Sequence, residues 1–295
     1  MTSATLEHPD TAALLRAGNT NCAGCGMSIG LQWLDEAFLA QRPYLVIPAA
    51  CAIVTAGAFP TTSYGVPTLA STFASAAAFA TGVATVADLN HDHHPTVCWA
   101  GDGGTYDIGV AALSAAAERN ENILYICYDN EIYGNTGGQR SSATPEGAIT
   151  STTPRGKEEW KKDMMAIMAA HRIPYAATLS VAHRDDFLRK LAIARDTRGF
   201  RFLVMLSPCP TGWKSPAEKS VELIDLAVRS GIFPLYEVFD GERYRINARP
   251  DGTDVSEYVS HQRRYAGGAL DAEVARSRIA AQWRFLETMA ERFPA

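Results

Sequence analysis

Gly101-Asp102-Gly103-Gly104 stands at the end of one apolar run, and Tyr128-Asp129-Asn130-Glu131-Ile132 closes the next. Glycines carry no side chain and let the backbone approach a phosphate closely. A helix opening at Thr105 would turn free N–H groups and its positive end toward an anion. The Asp102 carboxylate would repel a diphosphate unless a cation lay between them. Mg²⁺ suits that place, because it binds through few protein oxygens and the oxygens of phosphates. Asn130 offers a side-chain oxygen and Ile132 a backbone carbonyl to the same ion. A lone Gly-Asp-Gly-Gly also suits a plain turn between strand and helix. The second oxygen-bearing strand end favours the diphosphate cradle.

Cys22 and Cys25 form Cys-Ala-Gly-Cys, a spacing that lets two sulfurs reach one metal centre. Alone it fits a zinc knuckle, a redox dithiol or half an iron–sulfur site. Cys51 sits just past one expected strand, and Cys209 follows another in Ser207-Pro208-Cys209-Pro210. Strand ends converge at one edge of a parallel sheet, so four cysteines could meet there. Cys98 and Cys127 lie inside apolar strands and read as core packing. Without a secretory leader, 6 cysteines in 295 residues point to metal binding or catalysis in a reducing compartment and not to a disulfide framework.

The elements that must hold these residues alternate. Helical spacing is expected over 27–39, with Ser28 as the N-terminal cap, and over 70–87, 105–119, 157–170 and 184–197. Short apolar strands are expected over 44–49, 96–100, 123–128, 175–179 and 202–206. Residues 52–68 read as loop. So does 130–155, whose length inside a compact domain marks a functional connection. This alternation predicts an α/β fold, a mostly parallel sheet flanked by helices on both faces. Ligands then bind beyond the carboxyl ends of its strands. The character changes after Pro210. A helix is expected over 216–229, with Ser215 capping it, Pro216 in its first position and Glu218 closing a capping box. Strand alternation with a turn at Gly241 follows over 235–247, and a charged amphipathic helix over 271–293. The division is 1–210 as the cofactor domain and 211–295 as a C-terminal extension with a helical arm for subunit contact.

A hydrophobic content of 47%, a charged content of 20% and a net charge of −5 suit a globular protein and disfavour nucleic acid as a partner, which calls for a basic stripe. No apolar stretch reaches the roughly 18–20 residues that span a bilayer. Residues 1–20 read as a polar lead-in, and 1–16 carries acids early and lacks an apolar secretory core, which predicts a cytoplasmic protein.

GDGGTYDIG followed by YDNEIYGNTGGQRSSATPEGA resembles the thiamine-diphosphate subunit of the 2-oxoacid:ferredoxin oxidoreductases. The resemblance runs from about residue 17 to 215, with a similar C-terminal arm, and Asn135-Thr136-Gly137-Gly138-Gln139 is its most specific piece. It implies a thiamine-diphosphate-binding fold. Gly101, Asp102, Gly103, Gly104, Asn130, Ile132 and Thr136 would bind the cofactor, with Asp102, Asn130 and the Ile132 carbonyl on Mg²⁺ and Asn135 beside the thiazolium and substrate. Many relatives have Thr in place of Asn130, and Asn remains a competent oxygen ligand. Cys22, Cys25, Cys51 and Cys209 match the positions that bind a [4Fe–4S] cluster.

The implied activity is oxidative decarboxylation of a 2-oxo acid, pyruvate or an aromatic acid such as phenylglyoxylate, to an acyl-coenzyme A and CO₂. Electrons would leave through the cluster to ferredoxin, or to NAD through a flavin subunit. Only one diphosphate-binding half is present, so the chain reads as a β subunit. An α subunit would supply the activating glutamate and substrate contacts, and further subunits more iron–sulfur clusters. Met27 stands where some relatives have Glu, so this stretch offers the aminopyrimidine no carboxylate.

Two other readings fit parts of the chain. A non-redox thiamine decarboxylase or carboligase would use Gly-Asp-Gly-Gly and Asn130 but leave four cysteines idle, and it would be colourless and free of iron. A Cys₄ zinc scaffold would hold zinc and bind no thiamine. The cluster of His91, Asp92, His93 and His94 before Pro95 reads as a solvated loop. Ser141 and Ser142 lack the His–Asp pairing of a serine nucleophile. Arg263, Arg264 and Tyr265 read as surface or interface contacts, and Trp213 and Trp283 as packing anchors.

Overall fold

The computed structural model describes residues 13–58, 60–268 and 270–295; the first 12 residues of the lead-in read over 1–20 lie outside them. The chain runs α1 (Gly26–Ala37), β1 (Tyr44–Pro48), α2 (Cys51–Val54), β2 (Thr68–Ser71), α3 (Ala76–Leu89), β3 (Thr96–Gly101), α4 (Val110–Glu118) and β4 (Leu124–Asp129). It continues through α5 (Met164–Ala169), β5 (Tyr175–Ser180), α6 (Arg184–Asp196), β6 (Arg201–Leu206), α7 (Pro210–Trp213), α8 (Ser220–Arg229), β7 (Leu235–Phe239), β8 (Arg243–Ala248), α9 (Val255–Ser260) and α10 (Ala272–Arg292). One sheet takes the order β2-β1-β3-β4-β6-β5-β7-β8. Its first six strands are parallel, and β7 and β8 are antiparallel additions at one edge.

Both faces of the sheet are covered, so its central strands are buried throughout. Along β3 and β4, Val97, Trp99, Leu124, Ile126 and Tyr128 face one core with α1, α6 and α8. The alternate residues Cys98, Ala100, Tyr125 and Cys127 face the other, with α3, α4, α5 and α10. That alternation is the period of two of a pleated strand, and it places Cys98 and Cys127 in the core as expected. The alanines of α3, among them Ala76, Ala80 and Ala84, let that helix lie close on the sheet. No helix among the described residues is long and apolar enough to cross a membrane.

Several expected helix starts move: α3 begins at Ala76 and not at 70, and α5 at Met164 and not at 157. Cys25, not Ser28, is the N-cap of α1, in extended conformation, because the Cys-Ala-Gly-Cys turn docks elsewhere, as described below. Pro216 is extended too (ψ 133°), so the expected helix becomes a 3-10 turn, Ala217–Lys219, ahead of α8. The alternation over 235–247 forms a hairpin, with Gly241 at φ 71° in its turn.

Glu237 fastens that hairpin to the sheet. Its buried carboxylate accepts from Tyr175 Oη (2.8 Å), Arg189 Nη2 (2.9 Å) and Asn247 Nδ2 (2.6 Å). Burial alone would raise its pKa, but these donors win and hold the carboxyl below the usual glutamate range. Its contribution is therefore present at neutral pH and is lost as pH falls through that lowered value. Glu237→Gln should cost about 3 kcal/mol, read as a lower denaturation midpoint at neutral pH, with a shallower loss of stability in acid. An unchanged acid limb would show that Glu237 is not the group responsible.

Candidate active site

β1, β3, β4 and β6 are consecutive in the sheet and parallel, so their carboxyl ends share one edge. β1 pairs with β2 on one side and β3 on the other, which makes the β1/β3 crevice the switch point where ligands bind in such sheets. Cys51 follows β1 and Asp102 follows β3 on its two banks. Gly101 is in register with Tyr128, which sets Asp102 across from Asp129 and beside Asn130.

After Gly101 the chain turns directly into a π-helical turn, Gly103–Asp107, ahead of α4. Thr105 lies inside this turn and does not open the helix as expected; its hydroxyl donates to the Gly101 carbonyl at 2.8 Å. π-turns of this kind recur at functional sites. Gly103 is required sterically, since a Cβ there would sit 2.0 Å from the Tyr133 ring. Tyr133 in turn donates to Asp107 Oδ2 at 2.6 Å, and Asp107 also accepts from the backbone N–H (3.1 Å) and hydroxyl of Ser142. Two carboxylates of one short segment thus hold the long 130–163 connection, because Ser141 Oγ donates to Asp102 Oδ2.

Asp102 and Asp129 are both buried, and burial raises the pKa of each. Asp129 has a partner in Lys161, 2.6 Å away. Asp102 has Ser141 and, among the described residues, no paired cation; burial first, then the charge of Asp129, pushes its pKa well above the usual range. A buried carboxylate lacking a counter-charge fits a bound divalent cation. Asn130 Oδ1 accepts from Ile132 N at 3.3 Å, and its carbonyl accepts from Trp213 Nε1 at 2.8 Å. Those bonds hold the Asn130–Ile132 turn in place at the strand end.

Arg264 and Tyr265 are buried, against their reading as surface residues. Arg264 pairs with Glu131 at 2.7 Å and stacks on Trp213 at 4.2 Å, while Lys161 bridges Glu131 and Asp129. Glu131, at φ 64°, is held in the left-handed region by this network. Burial would raise its pKa, but Lys161 and Arg264 bring it below the usual range. Trp213 is the packing anchor expected, with the added bond to Asn130. His91, His93 and His94 are exposed.

The four thiols come from three segments: the Cys22–Cys25 turn ahead of α1, Cys51 at the start of α2 and Cys209 ahead of α7. Gly26 N donates to the Pro208 carbonyl at 3.2 Å, which docks the Cys22–Cys25 turn on the Cys209 turn. A Cβ on Gly26 would lie 2.2 Å from Pro208 Cδ, so only glycine permits this contact. Cys209 Sγ accepts from Gly212 N at 3.4 Å. The Ala52 N–H bonds Tyr128 Oη at 3.2 Å, and Tyr64 Oη donates to the Ala52 carbonyl at 2.8 Å, which fixes the Cys51 turn against β4. All four thiols are unpaired. Burial raises Cys51 to about 11 and Cys209 to about 12, and repulsion from the other cysteines of the group adds to it. Among the described residues no three His, Cys, Asp or Glu side chains close on a point that could hold a single metal ion.

The cation turn and the thiols share a wall. A Cβ on Gly212 would meet both Ile132 Cγ2 (2.8 Å) and Cys209 Sγ (3.0 Å). Farther along the loop, Asn135 Nδ2 donates to Cys51 Sγ at 3.2 Å. Thr136 is exposed and bonded to Gln139 at 2.5 Å, within the turn of the loop.

Residues 50–205 match the family of thiamine pyrophosphate enzymes, C-terminal TPP binding domain. The ketoisovalerate oxidoreductase subunit VorB of Pyrococcus abyssi is 41% identical over 94% of this chain and 93% of its own. The pyruvate synthase subunit PorB of Methanothermobacter thermautotrophicus is 43% identical over 85% of this chain and 89% of its own. The chain belongs to the β subunits of the 2-oxoacid:ferredoxin oxidoreductases. It is one subunit of a multi-subunit oxidoreductase and carries that family's thiamine-diphosphate domain. The solved 2-oxoglutarate:ferredoxin oxidoreductase of Magnetococcus marinus has the same fold (TM-score 0.62, 20% identity, 96% of this chain and 99% of that one).

Proposed function

We propose that this β subunit binds thiamine diphosphate through Mg²⁺ at Asp102, Asn130 and the Ile132 carbonyl, with Gly101, Gly103, Gly104 and Thr136 about the cofactor. It holds a [4Fe–4S] cluster on Cys22, Cys25, Cys51 and Cys209. The reaction is oxidative decarboxylation of a 2-oxo acid to CO₂ and an acyl-coenzyme A. The observation that carries this reading is the shared wall: one loop, 130–135, reaches the carboxylate edge at Asn130, Cys209 through Ile132, and Cys51 through Asn135.

Thiamine diphosphate, when bound, would supply the carbanion chemistry that decarboxylation of a 2-oxo acid needs. The chain's own residues then do three things. Asp102, oriented by Ser141, neutralises the cation that holds the diphosphate. The 130–163 loop, pinned by Asp107, shields the carboxyl edge of the sheet from water. Asn135, whose amide reaches Cys51 Sγ, would stand beside the thiazolium and the cluster.

An α subunit completes the site with the activating glutamate and the substrate side-chain contacts. Met27, where some relatives carry a glutamate, is buried in the core and offers the cofactor no carboxylate. Phe79, Val86 and Leu89 on α3 and Ile108 ahead of α4 are exposed apolar residues available for such a partner. The 211–295 extension acts as the arm for subunit contact, with Val274, Phe285 and Phe293 exposed on and just past α10. Further subunits carry more clusters and pass electrons to ferredoxin, or to NAD through a flavin. Free thiols at all six cysteines suit the reducing cytoplasm. The two relatives named for pyruvate and ketoisovalerate bracket the substrate as an aliphatic 2-oxo acid, and an aromatic acid is the alternative.

The test is viologen reduction by the anaerobic native complex over a panel of 2-oxo acids, with and without coenzyme A. Reduction dependent on one acid and on coenzyme A is expected. No reduction by protein shown to hold iron and thiamine would overturn the redox reading.

A further inference from the structure

We infer that Asn135 sets the electron affinity of the metal centre through its N–H···S bond to Cys51. The inference rests on the reading of Cys51 as a cluster ligand. Asn135 stands 84 residues along the chain from Cys51, and its amide reaches that sulfur at 3.2 Å. The approach is built by the backbone. Tyr133 N and the Gln139 carbonyl (3.0 Å) close the loop, as do Gly138 N and the Tyr133 carbonyl (3.0 Å). Gly137 and Gly138, at φ 114° and 77°, make the turn that brings the segment back. Gly134 adds no side chain between the loop and the sulfur, to which even a Cβ would stand at 3.7 Å.

The bond is also selective. Cys209 Sγ has a backbone donor in Gly212, and Cys51 has the amide of a side chain. A hydrogen bond to a ligand sulfur strengthens as negative charge builds on it, so it favours the reduced cluster and raises the reduction potential. The event affected is the uptake of one electron by the cluster iron. That electron comes from the decarboxylated substrate and leaves to the next acceptor, with no proton and no bond exchanged at Cys51. Asn135 is in this respect a positioning residue, acting through Cys51.

The experiment is an EPR-monitored redox titration of the complete complex. The signal to follow is the one lost, with its iron, in a Cys51→Ala complex. If iron and all signals persist in Cys51→Ala, the cluster reading fails and this inference with it. Asn135→Leu and Asn135→Ala lack the donor, and Asn135→Gln keeps it. In the first two the reduction equilibrium should fall about tenfold, roughly 59 mV for one electron, and in the glutamine variant by much less. A wild-type midpoint in either donorless variant, with the signal and iron intact, overturns the inference and leaves the cluster reading standing.

Discussion

Asp102→Asn will yield an assembled complex that retains no thiamine diphosphate, and turnover will fall by about 10³-fold or more, the several kcal/mol that a metal clamp supplies. The same substitution will make the cofactor-free subunit more stable. Both effects follow from one fact, that the Asp102 carboxylate is buried with a hydroxyl for company and, among the described residues, no paired cation. Asparagine keeps an acceptor for Ser141 Oγ and removes the charge, while Asp129 keeps Lys161. The folded pKa of Asp102 lies above its unfolded value near about 3.9. Its contribution to stability is thus full below that value and is lost as pH rises through the folded pKa. The cofactor-free wild type should therefore gain stability on acidification through this group, and Asp102→Asn should lack that gain. Mg²⁺ with thiamine diphosphate should remove the difference by taking the place of the proton. Cofactor content, viologen turnover and thermal midpoints with and without Mg²⁺ decide it. An Asp102→Asn complex with full thiamine and full rate would place the cation elsewhere.

What the chain announced about this site was local, and what it concealed was long-range. Gly-Asp-Gly-Gly and Asp-Asn lie at the ends of apolar runs, and strand polarity brings such ends to one edge without further information. The register of Gly101 with Tyr128 then follows from pairing neighbouring parallel strands. The Asp107–Ser142 and Arg264–Glu131 contacts span 35 and 133 positions, and nothing in the spacing of those residues foretells them. Arg-Arg-Tyr before a loop looks like surface until a buried glutamate is known to need a partner. Ser28 satisfied the rule for a helix cap, but the preceding turn docks on Pro208, and that contact starts the helix at Gly26 instead. The alternation over 235–247 was legible as strands; that they extend the main sheet depended on Glu237 meeting Tyr175 and Arg189, again a distant pairing.

Single replacement of Cys22, Cys25, Cys51 or Cys209 by alanine will remove the iron of this subunit and reduce viologen turnover to background, while Cys98→Ala and Cys127→Ala keep both. The contrast separates ligands from packing within one residue type. Cys98 and Cys127 are fully buried between core side chains of the sheet, so their loss leaves small cavities costing about 1–2 kcal/mol and no change in iron. The other four stand at a helix start, a helix turn and a proline-flanked bend, and burial holds Cys25, Cys51 and Cys209 protonated until a metal displaces the proton. Gly26→Ala is the sharper variant, because it leaves every sulfur in place. Its Cβ would fall 2.2 Å from Pro208 Cδ, which pushes the Cys22–Cys25 turn off the Cys209 turn. Metal affinity should drop about ten- to a hundredfold, as it does when the support of a ligand is lost. Iron retained in Cys209→Ala would move the ligand set elsewhere. Zinc in place of iron in the wild type would turn the same four thiols into a structural site and leave electron transfer to other subunits.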